Sequence, residues 1–104
     1  MRRHRQDRNH HEIRQAAEAL GWLWQDTSQT QLGYDAILVQ GGRTAYVEIK
    51  DGNKPMSAQQ LTPHEVRVHR TLKAHGVTVE ILTCVADLVV LSRPAWRVAE
   101  EEWW

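Results

Sequence analysis

Residues Tyr34 to Lys50 read YDAILVQGGRTAYVEIK, and this stretch decides the fold. Two β-rich runs, YDAILVQ and RTAYVEIK, flank Gly41-Gly42. Two glycines between two strands predict a hairpin with a primed turn, because such turns need positive φ and match the twist of the strands. A two-residue turn fixes the cross-strand partners by arithmetic. Gln40 faces Arg43, Leu38 faces Ala45, Ala36 faces Val47 and Asp35 faces Glu48. Strand side chains alternate between faces, so Ala36, Leu38, Val47 and Ile49 share one face while Ile37 and Val39 line the other. A sheet apolar on both faces needs cover on both, which helices supply in an α/β sandwich.

The flanking sequence provides those helices. Upstream, Ile13, Ala16, Ala17 and Leu20 recur with helical spacing, which predicts a helix over 9–21 stopped by Gly21. WLWQD reads as a short strand and TSQTQLG as a loop. Downstream, DGNKPMS carries turn chemistry. LTPHE announces the next helix, with Thr62 as N-cap, Pro63 at N1, Glu65 closing a capping box, and Leu61 and Val66 as a hydrophobic staple. That helix is expected to end near His75, with Gly76 as its left-handed cap. VTVEILT reads as a strand, and CVADLVVLS is ambiguous between strand and short helix. The expected order is α-β-β-β-α-β within a single domain spanning 1–104, with a basic arm over 1–8 and a tail over 94–104.

Composition excludes several classes. There are 13 basic and 13 acidic residues, so the net charge is zero, which argues against holding nucleic acid by bulk electrostatics. Four arginines nevertheless fall in the first eight residues, and Arg2 and Arg3 of that arm are candidates to touch phosphate. No apolar run approaches the ~18 residues of a membrane span, and the N-terminus lacks the apolar segment of a secretory signal. Cys84 is the single cysteine; its setting in ILTCVADLVV predicts a buried, inert thiol and a reducing cytoplasm. The six histidines lack the spacing of a helical zinc pair.

The hairpin also carries chemistry. Asp35 and Glu48 are expected as direct neighbours, their Cβ atoms about 4.5–5.5 Å apart, and like charges so placed destabilise a sheet by up to about 1 kcal/mol when exposed. Burial raises that penalty. A divalent cation removes it: two carboxylates, a backbone carbonyl and waters are normal for Mg²⁺. Lys50 lies two residues beyond Glu48 on the same face, where an ammonium can orient a metal-bound water or stabilise charge on a phosphoryl oxygen. Lys54 and Arg43, expected to flank this set, are candidates for DNA backbone contacts.

These residues resemble a known family. The sequence GYDAILV…GGRTAYVEIKDGNKPMSAQQLTPHE is similar to the PD-(D/E)XK nuclease superfamily and, within it, to the virus-type replication-repair nuclease (VRR-NUC) domain in its small stand-alone phage form. The likeness runs from about Asn9 to Leu91. It implies a restriction-endonuclease-like sandwich, a central mixed sheet flanked by helices. It also implies that Asp35, Glu48 and the Ile49 carbonyl bind Mg²⁺ (or Mn²⁺), with Lys50 as catalytic lysine. A first-helix glutamate reaching the metal site is matched by Glu12, which lies roughly 90° from the centre of the apolar stripe, whereas Glu18 is on its far side. Tyr34 stands where the superfamily usually has proline. Glu65 stands where many VRR-NUC members have glutamine, and its capping box already explains it. The implied function is metal-dependent endonucleolytic hydrolysis of DNA, structure-selective for branches or four-way junctions in replication, repair or recombination, by a homodimer. The alternative is an inactive nuclease-fold module that binds nucleic acid or a protein.

Overall fold

The computed structural model describes residues 8–93, so the arm residues Arg2 and Arg3 and the tail ending in Trp103-Trp104 lie outside it. Helix α1 spans Arg8–Ala19 and buries Ile13 and Ala17; Gly21, at φ +91°, releases the chain into β1, Leu23–Asp26. Strands β2, Ala36–Gln40, and β3, Arg43–Ile49, form the expected hairpin. Its register runs from Gln40↔Arg43 to Ala36↔Val47, and Gly41 and Gly42 supply the positive φ that the tight turn demands, +54° and +81°. After the one-turn helix α2, Met56–Gln59, which the turn-like sequence did not announce, α3 spans Pro63–Ala74. Both arms of its Thr62–Glu65 capping box are present. Strand β4, Val79–Leu82, then pairs parallel to β3, and α4, Val85–Leu91, resolves the ambiguous segment as a helix. The sheet order is β1-β2-β3-β4. None of the described helices is long and apolar enough to cross a membrane.

The two faces of the sheet are covered unequally. On one face Trp24, Ala36, Leu38, Val47, Ile49 and Leu82 pack with Ile13 and Ala17 of α1 and Leu88 of α4. Burying a side chain of this size contributes about 1.5–3 kcal/mol, so this is the main core. Trp22 ties its rim, with its indole Nε1 donating to Ser92 Oγ at 2.8 Å. The other face lies under α3, which has no fully buried residue. Polar contacts help to hold α3: the His69 ring meets the Gly33 carbonyl at 2.7 Å and the His64 ring meets the Gln31 carbonyl at 2.8 Å.

Cys84 corrects an expectation. Its thiol is exposed, because the apolar run splits into β4 and α4 and Cys84 sits at the junction as the α4 N-cap. Asp87 secures this junction by accepting from the Thr83 amide at 2.8 Å.

A second polar cluster pins α1 to β1. The ring of buried His10 lies 3.1 Å from Asp26 Oδ2, Trp24 Nε1 donates to the same oxygen at 3.2 Å, and the Ser28 amide donates to Oδ1 at 3.0 Å. Burial alone would raise the Asp26 pKa, but hydrogen bonds from Ser28, Trp24 and His10 outweigh it and bring it down to about 2. A carboxylate with a depressed folded pKa stabilises above its ordinary pKa and loses that contribution as pH falls through the folded value. Asp26→Asn should therefore lower stability by about 2 kcal/mol near neutrality, with the difference from wild type vanishing in acid melts below about pH 2.

Candidate functional site

Val47 and Ile49 point into the main core, so Glu48 between them points the other way, under α3, where it is only 3 % exposed. In the parallel register it lies opposite Ile81. Asp35 immediately precedes β2. The last regular pair of the hairpin is Ala36↔Val47; beyond it the Asp35 amide donates to the Val47 carbonyl at 2.8 Å, and the Asp35 carboxylate accepts from the Ile49 amide at 2.8 Å. The Asp35 side chain thus replaces a ladder bond and reaches Glu48 along β3. The pairing that arithmetic assigned to the backbone is achieved by the side chain.

Lys50 closes the group. Its Nζ lies 3.1 Å from Glu65 Oε1 and 3.8 Å from Glu48 Oε1. Its backbone is fixed on both sides, by its amide donating to Leu82 O at 3.0 Å and by its carbonyl accepting Asn9 Nδ2 at 2.9 Å. The four side chains therefore come from the β2 entrance, the end of β3 and the residue that follows it, and the first turn of α3.

Electrostatics make Glu48 the unusual member. Burial, then the charge of Asp35, then contact with Glu65 push its pKa far above the ordinary 4.5. Its Oε2 is buried with no hydrogen-bond partner. Glu65 moves the other way: burial would raise its pKa, but bonds from the Thr62 amide, Glu48 and Lys50 lower it. Burial and its acidic neighbours thus favour the protonated form of Glu48. An orphaned carboxylate oxygen beside a second carboxylate is a place where a hard cation would satisfy both.

The other sequence candidates lie elsewhere. Glu12 is half-exposed on α1, and its Oε1 takes Arg8 Nε at 3.0 Å, so the structure does not bring it into contact with the set. Arg43 is at the turn end of the hairpin, roughly 20 Å along the strand from Lys50, and does not flank the site. Its guanidinium donates to the Leu91 and Arg93 carbonyls at 2.9 and 3.1 Å and lies 5.4 Å from the Trp22 ring. Lys54 is exposed in the loop between β3 and α2. Sequence reasoning missed Asn9, which has no motif around it, and undervalued Glu65, whose capping role was a complete explanation by itself.

Gly33 sets the approach of α3 to the Asp35 segment. Its φ is +98°, and a Cβ there would fall 2.6 Å from Val68 Cβ. Gly33→Ala should cost about 1–3 kcal/mol and push α3, with Glu65, away from Lys50. A thermal melt checks the first expectation; a melt unchanged from wild type would contradict it.

Comparison with known proteins returns no matching family model, no matching curated protein and no matching solved structure.

Proposed function

We propose that the chain is a small metal-dependent nuclease that hydrolyses phosphodiester bonds in DNA, with the restriction-endonuclease-like core and site of the VRR-NUC domain it resembles. One observation carries this: a buried Glu48 carboxyl with an unpartnered oxygen, set against Asp35 and two residues from Lys50. A purely structural strand has little use for such a group, because a buried carboxyl must either hold a proton far above its ordinary pKa or carry an unsatisfied charge, and both are unfavourable. The α-β-β-β element order and the parallel β3–β4 pair reached through α3 support the same reading.

Asp35, Glu48 and the Ile49 carbonyl would hold Mg²⁺, or Mn²⁺ in its place. No group of three or more His, Cys, Asp or Glu side chains among the described residues is placed to enclose a metal, but Mg²⁺ takes one or two carboxylates and keeps waters, so this donor set fits it. When bound, the ion supplies Lewis acidity and lowers the pKa of an attacking water. The chain's residues do the rest. Asp35, anchored on the Ile49 amide, and Glu48 fix the site on a rigid strand. Lys50 places positive charge where the phosphoryl oxygens gain negative charge.

The proposal extends to DNA contacts by Lys54, Arg2 and Arg3, to branched DNA as substrate, and to a homodimer. For the last, exposed Ile81, Val85, Val89 and Val90 offer apolar surface around β4 and α4. The test is a cleavage panel of single-strand, flap, duplex and four-way junction DNA, with Mg²⁺ or with EDTA. Cleavage of at least one substrate in Mg²⁺ alone is expected; no cleavage of any, in Mg²⁺ or Mn²⁺, would overturn the proposal.

A further inference from the structure

We propose that Glu65 is the positioning residue for Lys50: it holds the ammonium in place beside Glu48 and ties that hold to the first turn of α3. The contact itself stands on geometry; its consequence for catalysis rests on the nuclease proposal above.

A lysine at the end of a four-carbon stem has many rotamers and is not positioned by its strand alone. Its nearest carboxyl group here is that of Glu65, at 3.1 Å, not that of Glu48, at 3.8 Å. Glu65 is itself immobilised. The oxygen that meets Lys50 also accepts the Thr62 amide at 2.8 Å, while the Glu65 amide donates to Thr62 Oγ1 at 3.2 Å. Lys50 and Glu65 side chains are 14 % and 16 % exposed, so this is not the solvated glutamate that a capping box alone would leave. An ammonium has three donors. Glu65 takes one of them at 3.1 Å, while Glu48, at 3.8 Å, lies beyond hydrogen-bond reach, so donors remain for a phosphoryl oxygen. Capping accepts glutamine or glutamate equally at this position, so the cap accounts for the side chain's shape but not for its charge.

That distinction selects the experiment. Glu65→Gln keeps an acceptor for the Thr62 amide and removes the charge facing Lys50. Its melting temperature should fall less than that of Glu65→Ala, which loses the cap as well as the charge. Single-turnover cleavage by Glu65→Gln should be about 10–100-fold slower, with KM and the half-saturating Mg²⁺ concentration changed by no more than about twofold. The double variant Glu65→Gln/Lys50→Ala should be no slower than Lys50→Ala alone, because one residue acts through the other. Independently of activity, the Lys50 side-chain ammonium should give a protected NMR signal in wild type that is lost in Glu65→Gln. A Lys50 signal unchanged by Glu65→Gln, or additive losses in the double variant, would overturn the positioning role. A wild-type protein that cleaves nothing, yet whose Lys50 signal depends on Glu65, would instead overturn the nuclease proposal and leave the contact standing.

Discussion

Lys50→Ala and Asp35→Asn are each expected to slow Mg²⁺-dependent DNA cleavage by about 10³-fold or more while the protein stays folded. Asn is the informative replacement at Asp35. Its carboxamide oxygen can still accept the Ile49 amide that Asp35 now accepts at 2.8 Å, so the edge of the hairpin keeps its bond and only the negative charge is lost. If Asp35 served the strand alone, this variant would be silent. Lys50→Ala removes the cation that lies between Glu65 and Glu48, but Glu65 keeps its bond to the Thr62 amide, so α3 retains its start. The core on the opposite face contains neither residue, which is why folding should survive both changes. Single-turnover cleavage, with a thermal melt of each variant, checks the expectation. Cleavage at the wild-type rate by either folded variant would remove that residue from the proposed mechanism.

The hairpin was legible because local chemistry left no freedom: two glycines set the turn, the turn set the register, and the register placed Asp35 near Glu48. The start of α3 was equally legible, since Thr62, Pro63 and Glu65 each satisfy a separate requirement of a helix end. What the sequence hid was tertiary. Glu12 sits at the edge of an apolar stripe, and periodicity alone does not say whether such a carboxylate turns inward or pairs with Arg8 one turn away. The register that pairs Gln40 with Arg43 puts Arg43 at the far end of the strand; its partners, the Leu91 carbonyl at the end of α4 and the Arg93 carbonyl just beyond it, are placed by a segment that the sequence leaves ambiguous between strand and helix. The hydrophobicity of its neighbours is uninformative for Cys84, because a strand gives way to a helix there. Glu65 shows a different failure. A residue with a sufficient local explanation conceals a second role that only the folded contact with Lys50 displays.

The second large effect concerns stability: Glu48→Gln should make the cation-free protein more stable while abolishing its response to Mg²⁺. Glu48 is buried, faces the charge of Asp35 and has an oxygen without a partner. Its folded pKa is therefore raised. Below its ordinary 4.5 the group is protonated whether or not the chain is folded, and it imposes no penalty. As pH rises above that value the unfolded chain releases the proton and the folded one retains it, so stability declines until the folded pKa is passed. Glutamine has nearly the same shape and carries no charge, and it escapes this decline. The advantage of Glu48→Gln should be close to zero near pH 4.5 and on the order of 2 kcal/mol, or about 10 °C in Tm, near pH 8. Under the nuclease proposal Mg²⁺ should act in the opposite sense: by taking the place of the proton it should stabilise wild type, more strongly as pH rises, and leave Glu48→Gln unmoved. Melts near pH 5 and near pH 8, in EDTA and in saturating Mg²⁺, give the full comparison. A Glu48→Gln protein less stable than wild type in EDTA at both values would mean that the carboxylate is already satisfied by its neighbours, and the case for a cation there would fall with it.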